Sequence, residues 1–247
     1  MKLQTIRVRR SRPSAPALAL ALALTMLCVY LISLSSAARE EDGNTAVATA
    51  SGIGEAEVRM EGLEAAFVCD ALFADLTEAR VAAANCAASG GAGMLLGEDG
   101  QFAVVQEAIA AGDAPDGALR RSAPGLTLKL SGPAAEVTAV SDAVSFLRAQ
   151  ATETGSLAAA LDAGSTDAGS LTALMAVYRT QGERARAALK AVSTRSEIID
   201  RIQSAVQSEL DRLDSAIRAP GAGKMKLIHA AACGEWISLL NDLSALA

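Results

Sequence analysis

The side chains able to do chemistry in this chain are few and widely spaced. Of the four cysteines Cys28 lies in an apolar run near the start of the chain, which leaves Cys69, Cys86 and Cys233, with a single histidine (His229), as the natural candidates for nucleophilic or metal chemistry. The cysteines show no C-x-x-C spacing, and one histidine cannot complete a Cys/His zinc set, so no metal site is expected. No G-x-S-x-G element is present to expose a serine nucleophile. His229 lies on the same helical stripe as Trp236, seven residues on, which fits a partly buried structural ring better than a catalytic base. Gly90-Gly91-Ala92-Gly93 could suggest a phosphate loop. However, these glycines follow a helical segment and precede an extended one, the reverse of the dinucleotide-binding order. Asp162-Ala163-Gly164-Ser165-Thr166-Asp167 lacks the alternating oxygen ligands and terminal Glu of a calcium loop; a turn with Ser165 or Thr166 capping the next helix accounts for it. The chemistry that remains is non-catalytic, with no cofactor implied.

The charge and apolar patterns set an address. Lys2, Arg7, Arg9, Arg10 and Arg12 precede an uncharged run from Ala17 to Leu34. As a helix that run is about 27 Å long, near the thickness of a bilayer's hydrocarbon core. Basic residues before it keep residues 1–16 in the cytoplasm and send the bulk of the chain across the membrane. Residues 17–38 are expected to form a transmembrane anchor. A cleaved signal peptide is the alternative, since Ser36-Ala37-Ala38 has the small-x-small form that signal peptidase recognises. Five of the 22 basic residues precede the run, so the remainder carries 17 against 28 acidic residues, a net charge of −11. That acidity argues against nucleic acid as a partner. Aromatic residues make up 3%, too few for a broad stacking platform.

Residues 39–63 are small, polar and acidic, as a flexible tether would be. From 64 to 131 the pattern is mixed. Residues 66–73 have the composition of a strand, Asp75 can cap a helix over 76–88, and Gly90-Gly91 stops it. Asp99-Gly100 between two apolar runs predicts a hairpin. Residues 110–125 have a loop-like composition with at most a short helix near Asp116–Arg121. Leu126 to Leu130 alternates as a strand does, and Gly132-Pro133 leads into a helix. Beyond it, residues 171, 178, 185, 192, 199, 206 and 213 are Leu, Tyr, Ala, Val, Ile, Val and Leu. A second seam begins at Met175. The seven-residue repeat predicts one long helix over 167–218, with the interspersed charges from Glu183 to Asp214 on its solvated outer faces. Gly182, Ser196 and Gln203 weaken the second seam, where a break can fall. A final helix over 223–246 then folds back as a hairpin.

The mixed segment resembles the SPOR domain, a small β-α-β-β-α-β module that binds peptidoglycan glycan strands in bacterial cell-division and sporulation proteins. The resemblance runs through Phe67-Val68-Cys69-Asp70-Ala71-Leu72-Phe73, Glu78-Ala79, Gly91-Ala92-Gly93, Glu98-Asp99-Gly100 and Phe102-Ala103-Val104-Val105. The stretch from Ala123 through the helices to Lys226 looks similar to membrane-anchored SPOR-containing proteins of spore-forming Gram-positive bacteria. The resemblance implies an α+β fold with a β-α-β-β-(α)-β module, the second helix having shrunk to residues 112–121. It also implies a non-catalytic cell-envelope protein whose partners are the cytoplasmic membrane and either peptidoglycan or an envelope protein. The implied glycan surface is a sheet face bearing Phe67, Cys69, Phe102 and Val104. Two strand registers stay open. Position 69 can face the ligand, which sends Asp70 inward, or Phe67, Cys69, Ala71 and Phe73 can form the buried face. The second register brings Cys69 towards Cys86 and permits a disulfide. The alternative function is an envelope adaptor that pairs its amphipathic helices with another protein and binds no glycan.

Overall fold

Alternating residues make the strands. In β1 (Gly54–Met60) Ala56, Val58 and Met60 point inward while Glu55, Glu57 and Arg59 are exposed. β6 (Leu126–Gly132) does the same with Leu126, Leu128 and Leu130, and the two pair antiparallel with Val58 opposite Leu128. The structure, a computed structural model, describes residues 54–194 and 196–246. The expected basic tail, the anchor over 17–38 and the first part of the tether lie outside these residues. Residues 54–60, assigned to the tether by composition, are instead a strand. Short segments rich in glycine and acid hide a period-two pattern that becomes decisive once a partner strand exists.

A second sheet is built from β2 (Leu63–Phe73), β3 (Met94–Glu98), β4 (Gln101–Ala110) and β5 (Leu119–Ala123), in the spatial order β3-β4-β2-β5 with every pair antiparallel. This is the order of a split β-α-β arrangement. The crossover helix α1 (Leu76–Ala88) starts at Asp75, whose Oδ1 accepts from the Thr77 and Glu78 amides at 2.7 and 2.9 Å. Asp99 and Gly100 both take positive φ (45° and 78°), the turn that matches the twist of the β3–β4 hairpin. The short helix expected at 116–121 is absent. Leu119–Ala123 is β5, paired to residues 63–67 of β2, and a single 3-10 turn at Ala111–Asp113 takes the place of the module's second helix.

Four helices follow: α2 (Ala134–Asp162), α3 (Ala168–Ala191), α4 (Glu197–Arg218) and α5 (Ala222–Leu246). Each packs on the next and α5 closes back on α2, so they form a four-helix bundle with short connections. The single long helix expected over 167–218 is therefore two helices. Ser196 accepts from the Ile199 amide and starts α4, and the amide and hydroxyl of Ser193 both donate to Glu136 Oε1 of α2 (3.0 and 2.5 Å). The break falls in the weakened second seam. Folding α4 back on α3 buries both seams in one chain: Leu171, Val206 and Leu213 from the first and Met175, Leu189 and Leu210 from the second are at most 3% exposed. Asp167, rather than Ser165 or Thr166, caps α3.

The expected division at residue 131 does not hold either. The sheets and the bundle share one core, with α5 lying across the four-stranded sheet and α2 against the β1–β6 ribbon. Lys226 of α5 ties these layers, reaching Asp162 of α2 at 2.7 Å and Glu107 of β4 at 3.8 Å.

Candidate functional site

The residues expected to share a glycan-facing surface are placed on two opposite faces. Facing pairs across an antiparallel ladder share a side. Phe67 faces Ala108, and Cys69 faces Val105. The register then shifts on either side of Cys69, so that Ala71 faces Val104 and Phe73 faces Phe102. Each shift adds an unpaired residue, Gln106 on β4 and Asp70 on β2, and each reverses which side the following residues take. Neither register weighed from the sequence is correct, because β2 does not alternate regularly through residues 68–71. Phe67 and Cys69 join the main core beneath α5, whereas Val104, Leu95 and Phe73 meet Ala83 and Cys86 of α1. Phe67 is wholly buried and Val104 is 1% exposed, so both faces are covered at these points by helices of the same chain.

The same geometry corrects the disulfide. Cys69 and Cys86 are free thiols on opposite sides of the sheet. The Cys86 thiol points at the Val105 carbonyl, 3.7 Å away. The Cys69 thiol points at the Phe67 carbonyl, 3.4 Å away. No bridge forms without moving a strand. Burial pushes the Cys69 thiol up, Asp70 and Glu98 add to this, and the Leu119 amide and Arg121 oppose it. Arg121 reaches from β5 to the Gly97 carbonyl and Glu98 Oε2, both at 2.8 Å. Among the large apolar side chains left exposed are Leu72 on β2 and Leu76 and Val81 on α1; Leu72 points to the side of the sheet away from α1.

Two polar clusters sit inside the bundle. In the first, His229 and Cys233 lie one turn apart on α5. The thiol is 3.7 Å from Nε2 and 3.3 Å from the Ala151 carbonyl, and Thr154 Oγ1 is 3.1 Å from Nδ1. The ring packs so closely on α2 that a Cβ at Gly155 would lie 2.7 Å from it. Burial pushes the thiol up to about 12 and pulls the imidazole down, so the pair holds a neutral thiol and a neutral ring, the opposite of an activated nucleophile. The cluster packs; nothing in it is poised to attack.

The second cluster escaped the sequence reading. Glu209 was expected on a solvated face but is 1% exposed. Arg212, on the same helix, pairs with Glu209 Oε1 and with Glu235 Oε2 of α5. Glu209 Oε2 is buried without a hydrogen-bond partner. The signal was present in the spacing: Ile202, Ala205, Glu209, Leu213 and Ala216 form one stripe, apolar except at 209. Burial pushes the Glu209 carboxyl up to about 7, with Glu235 adding and Arg212 opposing.

Among the described residues no group of three or more His, Cys, Asp or Glu could hold a metal ion, and no helix is long and apolar enough to cross a membrane. No protein-family model, curated protein or solved structure matches the chain.

Proposed function

We propose that this chain is a non-catalytic adaptor at the cell envelope, held to the cytoplasmic membrane by its N-terminal apolar run and contacting another protein with its folded part. One observation carries the preference for a protein over a glycan partner. The sheet face that would take a glycan strand is filled by α5, with Phe67 and Val105 in the shared core. The heptad seams are consumed within the bundle, so the contact uses outer surface, to which α1 contributes the exposed apolar side chains of Leu76 and Val81.

The second reading, a SPOR-like module binding peptidoglycan in division or sporulation, draws support from the β3-β4-β2-β5 strand order with one crossover helix. It requires α5 to leave the sheet. Incubation of the full-length protein with purified sacculi separates the two. The adaptor reading expects no retention that denuded glycan strands compete away, and a photo-crosslinker at Val81 to join a defined polypeptide in cells. Competable retention with no crosslinked protein reverses the preference.

A further inference from the structure

Glu209 occupies the bottom of a cleft between α2, α4 and α5, walled by Leu147, Ala205, Ala232, Trp236 and Leu239 and too narrow for a water molecule. One of its carboxyl oxygens is paired with Arg212 and the other has no partner. Glu235 competes for the same guanidinium from across the interface. The groups facing this carboxyl are therefore Arg212 from α4, and Glu235 and the Cys233 thiol from α5, while α2 presents the apolar Leu147. His229 stands beyond Cys233 and faces α2. With both carboxylates ionised the cluster holds one uncompensated negative charge and an orphaned oxygen in a dry site, which is costly. With a proton on Glu209 the cluster is neutral. The cleft wall leads elsewhere: Trp236 donates its Nε1–H to the Glu61 carbonyl at 3.1 Å, in the turn between β1 and β2, and the Glu61 carboxylate pairs with Arg148 of α2. Trp236, one of the side chains lining the cleft, is thus also one that fastens the bundle to the join between the two sheets.

We propose that Glu209 is a proton-operated latch. Protonated, it lies dry and holds α5 against α4 and Trp236 against Glu61; ionised, it draws water into the cleft and frees Trp236 and the β1–β2 turn. The proton simply transfers to and from solvent, and no other reactant is needed. The latch does not depend on whether the chain binds protein or glycan.

Trp236 is the chain's one tryptophan, so its emission reports the cleft without a label. In the full-length protein in detergent, raising the pH from about 5 to about 9 should shift the emission to the red and increase acrylamide quenching, with one midpoint near that of a buried carboxyl. Glu209→Gln should keep the emission blue and pH-independent. Glu235→Gln should lower the midpoint by removing the like charge. A flat wild-type response, or a shift that persists in Glu209→Gln, overturns the latch; the second result would pass the effect to His229 or another group. If Glu209→Gln does not fold, carboxyl carbon NMR of the wild type decides. Titration of Glu209 at an ordinary glutamate value overturns the proposal, and titration near neutrality together with the emission midpoint upholds it.

Discussion

Burial is the first cause that pushes the Glu209 carboxyl up, to about 7 in the folded chain against 4.5 for a free side chain. Between these values the folded state holds a proton that the unfolded state has lost. Stability therefore falls as pH rises from about 4.5 to about 7 and is level on either side, the reverse of an ion-paired acid. The full difference is about 3 kcal/mol. Glu209→Gln should remove this slope, leaving stability close to wild type at about pH 5 and above it at about pH 8, as read from urea midpoints. A variant as pH-sensitive as the parent would place the titration elsewhere. Residue placement also governs the thiols. Cys69 is half-buried, whereas Cys86 and Cys233 are buried. Under native conditions a maleimide should label Cys69 ahead of the other two, which should react only on unfolding. Non-reducing peptide maps of oxidised protein should contain no Cys69–Cys86 cross-link. The roles of His229 and Glu209 were unequally legible. The ring's place on the Trp236 stripe was visible, but a single glutamate within an apolar stripe looks like a solvated charge until a third helix closes over it.

At the scale of elements, close approach between helices decides what the bundle tolerates. A Cβ on Gly182 of α3 would lie 2.7 Å from Phe146 of α2 and 2.9 Å from Leu210 of α4. Alanine favours a helix over glycine by about 1 kcal/mol, but overpacking a three-helix contact costs about 1–3 kcal/mol. Gly182→Ala should therefore lower stability by about 1 kcal/mol, seen as a lower urea midpoint at unchanged slope; a gain would mean that Phe146 and Leu210 move aside freely. The elements with local punctuation were legible. Asp75 and the paired glycines bracket α1, Asp99-Gly100 makes the β3–β4 turn, and Gly132-Pro133 precedes α2. Those without it were not. β1 and β5 are short, carry charged residues, and depend on β6 and β2 for their backbone hydrogen bonds. The α3–α4 break needed Ser193 to meet Glu136, a contact 57 positions away in sequence.

Across the whole molecule, α5 is the element on which the sheet depends. It covers Phe67 and Val105, which a fragment ending after β6 would expose. Residues 54–132 alone should therefore collapse without cooperative unfolding and bind ANS, whereas residues 54–247 should unfold in a single transition. A cooperatively folding fragment would restore the two-part division and with it an open sheet face. Local composition was enough to specify the α+β class, the crossover helix, the hairpin, the amphipathic stripes and the apolar N-terminal run, because caps, turns and periodicity act over a few residues. Three features followed from contacts between distant segments: the side of the sheet on which Cys69 and Val104 lie, the fold-back of α4 on α3, and the burial of Glu209. Two extra residues in a ladder invert a strand's faces, and a stripe of apolar side chains is equally satisfied by a partner or by its own chain. Both outcomes are settled only by which surfaces pack together when the chain closes on itself.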